Sequence, residues 1–272
     1  PVARVFPSTP MRSFPDPVSA STKADVRAFF DTLARNNSER HGPAAALLAR
    51  RLRVLHRHAS FSSSDVVLDL GCGDGTHLRA LADRIESGIG VDLSPRMIQN
   101  ARRQTEHPAL EFRTGDAERL ASIPSASVDV VFCVGVLEHL LRPGRALQQA
   151  ARVLRPSGRF VALTLNGAHW WYRLADRVGV PTRHLDTDRR LSPGRARQLL
   201  RDSELRPEVG FWRFVPSGDL PRPLALLCGG LDRMGQHVAP SLLRTGLCLV
   251  GRPTTPAACT RPAVPQGADE SA

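Results

Sequence analysis

The chain is poor in several residue types. Of its 272 residues only Lys23 is lysine, only Tyr172 is tyrosine, and aromatic residues make up just 5%. The cysteines are few and odd in number: Cys72, Cys133, Cys228, Cys248 and Cys259. None forms a C-x-x-C pair, so they read as reduced, partly buried thiols of a reducing compartment rather than as a disulfide framework. No stretch reaches the roughly 18 consecutive apolar residues of a membrane span, and the N-terminal segment lacks the apolar core of a secretory signal. A soluble, cytoplasmic protein is expected, and no internal repeat is visible. With 42% apolar residues, collagenous, small disulfide-stapled and wholly disordered classes are excluded, and the length suits one large α/β domain.

Arginine is what the chain has in excess. Lysine plus arginine number 37 against 26 acids, a net charge of +11. Such a charge invites nucleic acid or an anionic surface. Because all but one of the basic residues are arginine, we read the skew as genome composition. The arginines between Arg35 and Arg57 read as a solvated helix face, with contact to a membrane surface as the alternative.

Proline with Ser, Thr or Ala dominates both ends, so residues 1–22 and 252–272 are expected to be disordered tails around a domain spanning 23–251. Within it, Val26, Phe29, Phe30 and Leu33 form the stripe of an amphipathic helix, and a second helix is expected from Pro43 to about His58. Val66 to Leu70 is a short apolar strand ending in Gly-Cys-Gly-Asp-Gly, after which Leu78, Leu81, Ala82 and Ile85 mark a helical face. Further strands are expected at Gly88–Asp92, Leu110–Arg113, Val128–Val134 and Arg159–Leu165. A helix capped by Ser94 with Pro95 at its first position follows the first of these, and another covers Arg145–Leu154. Beyond Asn166 the rhythm loosens: an aromatic run at Trp170-Trp171-Tyr172, a helix restarting at Ser192-Pro193, and two late strands at Val209–Val215 and Leu247–Val250. Strands alternating with helices predict a doubly wound, mostly parallel sheet, with a cofactor half at about 60–165 and a substrate or lid half at about 166–251.

The chemistry concentrates in Asp69-Leu70-Gly71-Cys72-Gly73-Asp74-Gly75-Thr76, between the first strand and its helix. Glycine there lets a ligand approach the backbone, and Asp92, 21 residues past Gly71 at the end of the second strand, sits near the spacing of an acid that meets a ribose. A dinucleotide site would want a third glycine where this chain has Thr76. The acids Asp69 and Asp74 would repel a pyrophosphate but suit an ammonium and a sulfonium, which favours S-adenosylmethionine over NAD.

These stretches, with Gly115-Asp116-Ala117, the Val128–Val134 strand followed by Leu137-Glu138-His139, and the Leu154-Arg155-Pro156-Ser157-Gly158 turn, resemble the class I S-adenosylmethionine-dependent methyltransferases. The small-molecule type of the ubiquinone pathway and of antibiotic tailoring is the nearest in character. The resemblance implies a seven-stranded Rossmann-like sheet in the order 3-2-1-4-5-7-6 with one antiparallel strand. It implies cofactor contacts from Asp69, Gly71, Cys72, Gly73, Gly75, Asp92, Leu93, Met97, Asp116, Ala117 and Val134. Methyl transfer is then expected to a small organic acceptor, at oxygen first, with nitrogen or carbon, a lipid acceptor or a nucleic acid as alternatives. A non-catalytic cofactor-binding protein is the other alternative.

A base for a hydroxyl acceptor would be His139 or His184. The ubiquinone-type enzymes place a glutamate where this chain has Gly135, so no metal is expected. No nucleic-acid partner is expected either, since the stretch after the fourth strand, Val134-Gly135-Val136-Leu137, lacks the Pro-Pro-aromatic pattern of base-amino methylation. Trp170, Trp171 and Tyr172 either wall a planar substrate or pack a lid helix on the sheet.

Overall fold

A computed structural model describes residues 19–35, 44–179, 185–213 and 244–254. Two helices, α1 (Lys23–Arg35) and α2 (Ala44–Ala59), precede the sheet. Its strands are β1 (Val66–Leu70), β2 (Ser87–Asp92), β3 (Leu110–Thr114), β4 (Val128–Val134), β5 (Leu154–Leu165), β6 (Leu205–Arg213) and β7 (Gly246–Pro253). The crossovers carry α3 (Thr76–Arg79), α4 (Pro95–Arg103), α5 (Pro143–Val153), α6 (Trp170–Val178) and α7 (Pro193–Arg201). Strand order is β3-β2-β1-β4-β5-β7-β6, with only β7 antiparallel to its neighbours. The expected topology is the observed one.

Side chains alternate across the sheet as period two demands. On β5, Phe160 and Ala162 join the core under α5 and α7, while Val161 and Leu163 join the core on the α2, α3 and α4 side. Leu247 and Leu249 of β7 divide from Cys248 and Val250 in the same way. Cys72, Cys133 and Cys248 are free and buried, whereas Cys228 and Cys259 lie outside the described residues. Among the described residues, no helix is long and apolar enough to cross a membrane.

Three details differ from the sequence reading. The face marked by Leu78, Leu81 and Ile85 is buried as expected, but it is not one helix: α3 lasts a single turn and a 3-10 turn at Ala82–Arg84 follows. The chain must return within a few residues so that Ser87 can pair with Val66. β5 begins at Leu154 rather than Arg159. Leu154 and Arg159 pair with Val128 and Val130, so the Arg155–Gly158 turn is a bulge inside the strand. β6 starts at Leu205, ahead of the expected Val209, with Val215 outside the described residues. At the inner edges of the expected tails, Ala20 is buried with its N–H donating to Asp186 at 2.9 Å, and β7 runs on to Pro253.

Gly75 opens α3 at φ 79°, and a Cβ there would lie 2.7 Å from the Phe112 ring. Gly75→Ala combines left-handed strain with overpacking against a buried aromatic, and is expected to cost about 2–4 kcal/mol. Thermal unfolding followed by circular dichroism would register this; an unchanged melting temperature would contradict the close packing of the loop.

Candidate active site

The loops that leave the carboxyl ends of β1, β3 and β4 are each tied to a neighbouring strand. Gly71 and Cys72 N–H donate to Val91 O at 2.7 and 3.1 Å, Gly115 N–H to Asp92 O at 2.8 Å, and Gly135 N–H to Leu163 O at 2.8 Å. Above these ends opens a cleft of about 820 Å³ including its mouth, the position at which doubly wound sheets bind ligands. One wall is α1, through Val26, Phe30 and Leu33.

Of the residues that the sequence singles out, Gly71, Gly73, Asp92, Leu93, Met97, Asp116, Ala117 and His139 line this cleft. Asp92 is pinned beneath the glycine loop, its Oδ2 accepting from Gly73 N–H at 2.9 Å and its Oδ1 from Ser94 N–H at 2.8 Å. Burial pushes its carboxyl up, opposed by these backbone hydrogen bonds and assisted by the nearby Asp31 charge. Asp31 is held by Ser94 Oγ–H, which ties α1 to the N-cap of α4.

The others stand back from the cleft. Asp69 is buried, and its Oδ2 has no hydrogen-bond partner among the described residues. Burial first, then the Asp92 and Asp74 charges, raise its carboxyl well above the usual range. Cys72 points into the core with its thiol donating to Gly73 O at 3.6 Å, and burial raises it too. Gly75 packs on Phe112, as above. Val134 stays in the strand ladder opposite Leu163; it is Val136, past the left-handed Gly135 (φ 69°), that turns over Gly71 and enters the wall. A glutamate at Gly135 would be strained in that conformation. Glu138 faces inward, taking the Thr164 hydroxyl at 2.7 Å.

His139 sits in a 3-10 turn at Leu137–His139, edge-on to the Phe30 ring at 5.3 Å. Its Nδ1 lies 2.6 Å from Asp188 Oδ1. A carboxylate only accepts, so Nδ1 carries the proton and donates, leaving Nε2 as the basic nitrogen. Burial pulls the imidazole down, but the hydrogen bond to Asp188 and the charges of Glu138 and Asp188 outweigh it, and the net shift is upward. His184 lies outside the described residues.

Tyr172 is buried under the Arg190 guanidinium, 4.2 Å from its ring centroid, and Trp170 is half exposed; neither lines the cleft. The packing reading holds for Tyr172.

Two functional candidates escaped the sequence reading. Asp188 is the partner of His139 across 49 residues, a pairing with no sequence spacing to announce it. The sequence places Arg51 on a solvated face, but its Nε is buried without a hydrogen-bond partner among the described residues. The signal was there: Arg51 is one helical turn from Leu55, which is fully buried. Burial lowers its guanidinium and the Glu138 charge raises it.

Residues 68–162 match the model of the methyltransferase domain family. The chain is 33% identical over 118 residues to a ubiquinone biosynthesis O-methyltransferase of Idiomarina loihiensis, covering 43% of this chain and 49% of that protein. It is 38% identical over 148 residues to an uncharacterized 37.1 kDa protein in transposon TN4556 of Streptomyces fradiae, covering 53% of this chain and 40% of that protein. The chain thus spans less than half the length of either curated relative. A SAM-dependent methyltransferase of Thermotoga maritima has the same fold, with TM-score 0.58 and 17% identity over 85% of this chain and all of that one. The chain therefore places its glycine loop, Asp92 and His139 around one cleft, in a fold it shares with proteins of low sequence identity.

Proposed function

We propose that the chain transfers the methyl group of S-adenosylmethionine to a small organic acceptor, at oxygen, with His139 as general base. The observation that carries this reading is the cleft itself, where the glycine loop, Asp92, Asp116 and His139 converge. The polar groups fit the cofactor. A Cβ built on Gly73 meets nothing within 4 Å, so the loop leaves room for a ligand against its backbone. Asp69, in the strand that leads into the glycine loop, has a buried Oδ2 without a partner among the described residues, an acceptor for an amino acid's ammonium. Asp92 is the acceptor for ribose hydroxyls, and Asp116 for an adenine amine. The acidic set favours a cation, which a sulfonium is and a pyrophosphate is not.

When bound, the cofactor supplies an electrophilic methyl group. The chain supplies position and proton management. Val136, Leu140 and Leu141 make that end of the cleft apolar, so an acceptor there is stripped of water. His139 Nε2 takes the hydroxyl proton as the oxygen becomes nucleophilic, and Asp188 holds the ring and stabilises the imidazolium that results. The kinship with ubiquinone O-methyltransferases supports oxygen as the acceptor atom.

Isothermal calorimetry with S-adenosylhomocysteine tests the cofactor half. Incubation of simple phenols and catechols with labelled S-adenosylmethionine tests the other half, with a mass gain of one methylene on the hydroxyl as the expected product. Absence of any heat of binding would end the cofactor assignment. Methylation of amines or carbons but not phenols would end the assignment to oxygen.

A further inference from the structure

The chain's single lysine lies in the cleft. Lys23, the first residue of α1, pairs with Asp116 Oδ2 and sits 2.8 Å from Glu118 Oε2. Its nitrogen thus bridges two carboxylates, one of them the acid assigned to the adenine amine. Glu118 has a side chain only 2% exposed, and it also accepts from Arg142 N–H at 2.7 Å. Asp116 Oδ1 is taken by Glu118 N–H at 2.9 Å. Glu118 is therefore held between Lys23 and Arg142, whose Nε–H donates to Glu118 Oε2 at 3.3 Å, while Asp116 pairs with Lys23. Buried carboxylates this close need such partners, and no other lysine exists to provide one.

Lys23 also belongs to α1 at its most constrained point. Thr22 and Asp25 cap the helix reciprocally, Asp25 Oδ2 accepting from Thr22 N–H at 2.8 Å and Thr22 Oγ1 from Asp25 N–H at 3.3 Å. Further along, Asp31 is bonded to Ser94, and the Ala34 carbonyl accepts from Asn100 Nδ2–H at 3.2 Å. The wall over the cleft is thus fastened at one end to α4 by neutral donors, and at the other to the adenine-side acids by a charge pair.

We propose that Lys23 is an ionic latch on the nucleoside side of the cleft: its pairing with Asp116 and Glu118 holds α1 closed over the site and sets how fast an adenosyl ligand leaves. The proposal rests on the cofactor reading above. An adenine amine needs an oxygen of Asp116, and Oδ2 has a second lone pair to accept it while Lys23 stays in place, so the ion pair closes beside a bound nucleoside. Lys23 acts through Asp116 and α1, so it is a positioning residue.

The test uses the full chain and S-adenosylhomocysteine, with dissociation rates read by stopped-flow displacement at low and high salt. In the wild type, salt screens the pair and release speeds up. Lys23→Met should release the ligand about three- to ten-fold faster than wild type at low salt, the range a part-buried ion pair commands, and should lose the salt dependence. Lys23→Arg, which keeps the charge, should restore slow, salt-sensitive release. Because the chain has no other lysine, acylation by an N-hydroxysuccinimide ester, mapped by mass spectrometry, gives a second readout: Lys23 should react slowly, and faster after Glu118→Gln. A Lys23→Met protein that melts lower yet releases the ligand at the wild-type rate with unchanged salt dependence would overturn the latch. Failure of the wild type to bind S-adenosylhomocysteine at all would overturn the cofactor reading and the latch with it.

Discussion

Asp92→Ala is expected to abolish measurable binding of S-adenosylhomocysteine, a loss of at least about a hundred-fold in affinity. Three effects combine. The carboxylate assigned to the ribose hydroxyls disappears, and charge-assisted hydrogen bonds contribute roughly 1.5–3 kcal/mol each. Gly73 N–H and Ser94 N–H lose their acceptor together, so the glycine loop is no longer fixed to the start of α4. The repulsion that Asp92 exerts on Asp69 also goes, which relaxes the acid cluster without replacing any ligand contact. Asp92→Asn separates these effects. It keeps the shape and one acceptor, so it should fold like the wild type and still bind weakly. Calorimetry on both variants checks the claim; binding by Asp92→Ala within about three-fold of wild type, well under 1 kcal/mol, would sink the assignment of the site.

The second large effect is on rate. With an acceptor that turns over, His139→Gln should lower kcat by about 10²–10⁴-fold, the usual contribution of a positioned base, while leaving cofactor affinity nearly unchanged. Asp188→Asn should be milder in kcat but diagnostic in its pH profile. The folded His139 value is raised above that of a free imidazole, so the pair with Asp188 contributes stability that is fully present below about pH 6.5 and is lost as pH rises through the raised value. Catalysis has the opposite sign: the base must be neutral, so the rate climbs with pH through that same raised value. Replacing Asp188 by Asn removes the charge that holds the proton on the ring, and burial is then opposed chiefly by the Glu138 charge. The acid limb of the profile should shift to lower pH, and the stability advantage at low pH should shrink with it. Titration of His139 by NMR in the ligand-free protein checks the shift independently of any acceptor. A wild-type His139 titrating below the ordinary imidazole value would refute the dyad.

Much of this architecture is written locally. The apolar runs of β1, β4 and β7 are buried because each residue is flanked on both faces by helices whose own stripes are legible, and the Ser94-Pro95 and Ser192-Pro193 caps start α4 and α7 where the side-chain oxygens can accept from Met97 and Arg195 N–H. Elements whose shape answers to something remote were read less well. The face of Leu78 and Leu81 was right and its helix wrong, because the register of β2 on β1 cuts the crossover short. The Arg155–Gly158 turn looks like a strand boundary in sequence because a bulge shows only against a partner strand.

The same division holds at the site. Gly71, Gly73, Asp92 and Asp116 stand at strand ends fixed by the alternation of helix and strand, so their types and spacings alone place them together. Lys23, Arg51 and Asp188 do not. Lys23 reaches Asp116 across 93 residues and Asp188 reaches His139 across 49, through α1 and a loop whose paths no local periodicity encodes. The sequence by itself determined the sheet, the glycine loop and the position of Asp92 at the end of β2, since these follow from backbone geometry and burial within a few residues. Only the tertiary structure decided which histidine has a carboxylate behind it, which arginine is buried rather than solvated, and which acid the lone lysine holds, because charges pair by distance in space, and distance in space is what folding creates.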